Sequence, residues 1–124
     1  MKMKITLVRF PQFGRYFRAD FNVGDELFIL GEYFGSSLGS DPTLVSRYRQ
    51  FIESGVLSGE PIGSEVIDGK IHLHHLYVTG LKKKPALTKE ELLALVDKWF
   101  ELVSTRAEKI VITNDNGAFS LGIE

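Results

Sequence analysis

Cysteine is absent from the 124 residues, which excludes a disulfide framework and a thiolate metal site. No apolar run comes near the roughly 20 residues that span a bilayer. The opening Met1-Lys2-Met3-Lys4-Ile5 passes directly into a strand-like pattern, without the long apolar core of a signal peptide. A cytoplasmic protein with no membrane partner is the expectation. Phosphate cradles are lacking too, since Gly31 to Gly39 has no Gly-Lys-Ser/Thr ending. Serines beside glycines in Ser54-Gly55-Val56-Leu57-Ser58-Gly59 read as loop chemistry, and no serine nucleophile elbow is expected.

What is present is an ordinary globular composition, 44% hydrophobic and 25% charged, long enough for one domain over residues 1–124. The net charge of −1 hides an uneven distribution. Residues 1–18 carry Lys2, Lys4, Arg9, Arg15 and Arg18 and no acid, a charge of +5. Residues 19–69 hold nine acids against Arg47 and Arg49, a charge of −7, and residues 70–124 sum to +1. The acidic middle argues against nucleic acid as its direct ligand and suits a basic protein partner. Solvated surface acids are the plainer alternative.

The strongest local signal is Leu87 to Val103. Leu92, Leu95, Val96, Trp99, Leu102 and Val103 recur at helical spacing. Thr88 with Glu91 forms a capping box, and Leu87 with Leu92 a hydrophobic staple. The single Trp lies mid-helix, so the helix is expected across a sheet with Trp99 in the core. Each buried side chain of this kind contributes about 1.5–3 kcal/mol, which makes this helix the main source of stability.

Around it the chain reads as hairpins and helices. Residues 4–10 form a strand, Pro11-Gln12-Phe13-Gly14 a turn, and residues 15–21 a half-buried strand with Phe17, Ala19 and Phe21 on one face and Tyr16, Arg18 and Asp20 on the other. Leu27, Leu30, Phe34 and Leu38 predict a short helix opening at Asp25 and ending near Gly35, with a buried strand over 26–30 as the alternative. Gly31, Gly35 and Gly39 would form a stripe for close approach of a neighbouring element. Asp41 and Pro42 open a second helix whose apolar face is Leu44, Val45, Tyr48, Phe51 and Ile52, with Gly55 as its C-cap.

Asp68-Gly69 centres a hairpin that pairs Ile67 with Lys70, Val66 with Ile71 and Glu65 with His72. Asn116-Gly117 centres another, pairing Ile112 with Leu121 and Ile110 with Ile123 on one face. Leu81-Lys82-Lys83-Lys84-Pro85 reads as an exposed basic connection. The order ββ-αα-ββ-α-ββ implies a single α+β domain with a largely antiparallel sheet and helices packed on one face.

Chemistry-bearing clusters are few. His72, His74 and a facing Glu65 could hold zinc with an open position, the basis of an alternative reading as a small metal-dependent enzyme. Short motifs overpredict metals, and surface or packing histidines are the expectation. Alternation fails at His75, because Leu76 and Val78 would join the face of His72; a bulge near His74 would resolve it. Asp25-Glu26 and Glu90-Glu91 fall at helix starts, where acids favour the macrodipole. Aromatics within the acidic block could build a protein-binding surface, although Phe34, Tyr48 and Phe51 lie on apolar stripes and so read as core.

Glu26-Leu-Phe-Ile-Leu-Gly-Glu-Tyr-Phe-Gly35, Phe51-Ile-Glu-Ser-Gly55 with Gly59-Glu-Pro-Ile-Gly63, and Leu87-Thr-Lys-Glu-Glu-Leu92 running on to Ile110-Val-Ile-Thr-Asn-Asp-Asn-Gly117 give the chain a layout that resembles small bacterial immunity proteins, the antidotes encoded beside toxins. The resemblance implies a non-enzymatic inhibitor whose acidic surface covers the active site of a cognate toxin domain, such as a basic nuclease. The expected partner-binding residues are Asp25, Glu26, Glu32, Tyr33, Asp41, Glu53 and Glu60. No catalytic residue, cofactor or metal is expected, and the chain would be a monomer or homodimer. A structural or oligomerisation module is a further alternative.

Overall fold

The computed structural model describes residues 2–10, 15–19, 24–55 and 60–124. The turn expected at Pro11–Gly14, the reach of the second strand through Asp20 and Phe21, and loop residues 56–59 lie outside the described residues. In chain order the elements are β1 (Lys2–Phe10), β2 (Arg15–Arg18), α1 (Asp25–Glu32), α2 (Val45–Ser54), β3 (Ile62–Ile67), β4 (Lys70–His75), β5 (Ala86–Leu87), α3 (Lys89–Ser104), β6 (Lys109–Asp115) and β7 (Ala118–Ile123). A π-helical turn, Tyr33–Leu38, extends α1, and a short 3-10 turn, Pro42–Leu44, precedes α2. The fold is a small α+β domain, as the pattern predicts, with every strand pair antiparallel. Among the described residues no helix is long and apolar enough to cross a membrane.

The strands divide between two sheets, of order β2-β1-β6-β7 and β3-β4-β5. Both turn-defined hairpins have the expected register: Glu65 faces His72, and Ile112 faces Leu121. Asp68 and Asn116 adopt positive φ, as such tight turns require. Ile5, Leu7, Ile110, Ile112 and Leu121 lie on one face of the larger sheet and are buried. Ile123, expected to share that burial, ends the edge strand β7 and is 65% exposed.

Helices cover the buried face. α1 touches β1 and β6 of the larger sheet and β4 of the smaller, while α3 touches β7 and β5. All six expected residues of α3 are buried, Trp99 completely, and Phe100 joins them. The reciprocal cap is complete: Glu91 N donates to Thr88 Oγ1 at 3.1 Å and Thr88 N donates to Glu91 Oε1 at 2.9 Å. Trp99 Nε1 donates to the Gly39 carbonyl at 2.8 Å, so the indole fixes the chain where it leaves the π turn. α2 packs on α3 less deeply; Ile52 is buried, whereas Leu44, Val45, Tyr48 and Phe51 are half-buried.

The second strand faces opposite to the apolar count. Tyr16 pairs with Arg9 and Arg18 with Leu7, which turns Tyr16 inward; it is 3% exposed and Phe17 is 46% exposed. Tyr16 can be buried because its hydroxyl donates to the Ala107 carbonyl at 2.6 Å. The glycine stripe serves at two of its three positions. Gly31 stands against Ile5 and Gly35 against the Tyr16 backbone, while a methyl group on the Gly39 α-carbon would meet nothing within 4 Å.

Candidate functional site

The residues expected to contact a partner do different work. Asp25 and Glu26 open α1, whose N-cap residue Gly24 has no side chain to cap it, and their charge favours the N-terminal dipole. Asp25 Oδ2 accepts the amides of Lys82 at 2.6 Å and Lys83 at 3.1 Å. Those hydrogen bonds, from Lys83 and then Lys82, hold its carboxyl below the usual range. Together with Glu26, Lys83, Asn114 and Asn116 it lines an open cleft of about 450 Å³. Asp41 accepts from the hydroxyl and the amide of Thr43, at 2.7 and 3.0 Å, which lowers its carboxyl too. It is a helix-start cap, as its position before Pro42 predicts.

Tyr33 departs from the expected contact set. It is 2% exposed, and its hydroxyl has no hydrogen-bond partner among the described residues. Burial pushes the phenol pKa up. A side chain in the core cannot meet another protein, so Tyr33 is removed from that surface. Phe34 is core as well. Glu32 is half-buried, within reach of Ser36 Oγ at 3.4 Å, and Glu53 and Glu60 are exposed.

The histidines separate. His72 and His74 share the outer face of β4, and His74 lies over Gly63. His75 turns inward against Phe28 of α1, with ring centroids 5.6 Å apart. Among the described residues no group of three or more His, Cys, Asp or Glu side chains could hold a metal ion. The expected bulge near His74 is absent: pairing of Gly63 with His74 and Ile62 with His75 is regular, and the strand then ends.

The break in alternation at His75 marks an exposed apolar run immediately beyond β4. Leu76, Tyr77 and Val78 are consecutive and 47%, 62% and 39% exposed. The run is held in place by its backbone. Leu76 N donates to the Pro61 carbonyl at 2.8 Å, and His75 Nδ1 accepts from Tyr77 N at 3.1 Å and Val78 N at 3.0 Å. The Tyr77 hydroxyl bonds to the Glu60 carboxylate, which raises the phenol pKa. An aromatic strip therefore runs from Phe28 through His75 to Tyr77. Arg18 sits 4.0 Å above the Phe28 ring, and Glu32 is one helical turn from Phe28.

The residue pattern Gly-x-Ser-x-Gly does occur in the chain, at Gly35-Ser36-Ser37-Leu38-Gly39. Its setting is wrong for a nucleophile. Ser37 lies in the π turn after a helix rather than on a strand-to-helix elbow, and it is 7% exposed. Its carbonyl accepts the Tyr48 hydroxyl at 2.9 Å, a packing role.

Compared with known proteins, the chain matches no family model, and no curated protein or solved structure matches it.

Proposed function

We propose that the protein is a non-enzymatic, cytoplasmic binding protein that neutralises a cognate bacterial toxin by covering the toxin's active site. One observation carries this reading. Three ion pairs within the described residues, Arg49–Asp97, Lys98–Glu101 and Lys109–Glu124, take their acids from outside the acidic middle of the chain. Glu26, Glu32, Glu53 and Glu60 lie outside these three pairs and would meet the cations of a basic protein, steering it by long-range attraction before short-range contacts form.

The test is co-expression and titration with the product of the neighbouring gene. Rescue from toxicity is expected, with an association rate that falls roughly tenfold or more as salt rises from low to several hundred millimolar. A neighbouring product that is neither toxic nor bound defeats the reading, and so does an association rate indifferent to salt.

A further inference from the structure

The exposed run after β4 is built with more care than a passing loop needs. Three successive amides, those of Leu76, Tyr77 and Val78, are all bonded, the first to Pro61 and the next two to one imidazole nitrogen. For Nδ1 of His75 to accept, the ring must be neutral with its proton on Nε2. The three side chains still point to solvent. An apolar surface presented on an already ordered backbone binds at a reduced entropic cost.

We propose that Leu76, Tyr77 and Val78, clamped by His75, form the surface on which a partner protein docks, one that offers an apolar slot with an arginine or lysine opposite Glu60. This rests on the protein-binding reading and gives it a location. Exposed tyrosine is among the residue types that dominate binding energy. The Glu60 carboxylate, already bonded by Tyr77, keeps lone pairs for a guanidinium or ammonium. Lys82, Lys83 and Lys84 come a few residues later, with the first two held by Asp25, so the partner's cation is directed to the Glu60 end. A second copy is a poorer occupant, because a two-fold contact centred on Tyr77 would set Glu60 against Glu60.

His75 is the positioning residue. Without an acceptor at Nδ1 both amides lose their partner, which would free the run and weaken docking.

The clamp is tested on the free chain by amide hydrogen exchange at Tyr77 and Val78. His75→Phe should lower protection there about tenfold or more, while the amide of Ile112 is unaffected. Protection that persists in His75→Phe overturns the clamp. Docking is tested with the neighbouring gene's product. Tyr77→Ala, at an exposed position, should weaken binding about thirtyfold, with an unchanged circular dichroism spectrum. Equal binding of wild type and Tyr77→Ala overturns the docking surface and leaves the charge-based reading standing. No binding by wild type removes both.

Discussion

Gly35 lies against the carbonyl oxygen of Tyr16: a methyl group on its α-carbon would stand 2.8 Å from that oxygen. The obstacle is backbone, which cannot swing away as a side-chain tip can. Gly35→Ala should therefore cost about 1–3 kcal/mol in urea unfolding, the range of overpacked sites. Gly31→Ala, whose nearest neighbours are side-chain atoms, the terminal methyl of Ile5 first at 3.2 Å, should cost clearly less. Equal costs would refute the distinction.

Tyr33 invites the opposite substitution. Its buried hydroxyl has no hydrogen-bond partner among the described residues, so no bond there offsets the cost of burying it. Tyr33→Phe should be neutral or stabilise by up to about 1–3 kcal/mol. A clear fall in melting temperature would mean that the hydroxyl has a partner after all.

Trp99 gives a direct optical reading. As the only tryptophan, fully buried, it should emit at short wavelength in the folded chain and shift to the red on unfolding. Trp99→Phe removes the bond to the Gly39 carbonyl as well as indole volume, and should cost about 1–3 kcal/mol or more. Red-shifted emission from the native protein would contradict the packing.

Acid should destabilise the fold through three carboxyls. Asp25 is held low by the Lys83 and Lys82 amides, Asp41 by Thr43, and Glu91 by the Thr88 amide and hydroxyl. Because each folded pKa lies below its unfolded value, the contribution is full above the ordinary carboxylate range. It is lost as pH falls through the lower, folded values. Melting temperatures of the Asp25→Asn, Asp41→Asn, Glu91→Gln triple variant should show a shallower decline in acid than wild type. Parallel declines would rule out these groups as the cause.

The capping box can be tested alone. Thr88→Ala should cost about 0.5–2 kcal/mol and Thr88→Ser much less, since serine restores the acceptor. Thermal unfolding of the two variants side by side checks the order.

Short-range chemistry was legible in the sequence. The Asp68-Gly69 and Asn116-Gly117 turns fix their strand registers through local geometry, and Thr88 with Glu91 announces a helix start three residues apart. What escaped depends on distant pairing. Nothing near Lys2–Phe10 says that it meets Lys109–Asp115, and the two-residue β5 is too short to show a period. The orientation of β2 escaped because counting apolar side chains favoured Phe17, whereas Tyr16 gains burial and a hydrogen bond to Ala107, 91 positions away. At the candidate surface, Asp41 reads correctly as a cap, while Tyr33 reads as exposed only because it stands among acids. The failed alternation at His75 marked the right place. Its cause was the end of a strand, and the exposed apolar run beyond it became visible only with the backbone.

One pairing bears on how the chain is made. β1 occupies an interior position of the larger sheet, with Lys2 opposite Asp115 and Val8 opposite Lys109. During synthesis its second neighbour does not exist until the chain has been translated through Asp115. Until then one edge of an apolar strand is left open to other chains. Such late, non-local closure makes for slow folding and for dependence on chaperones during production.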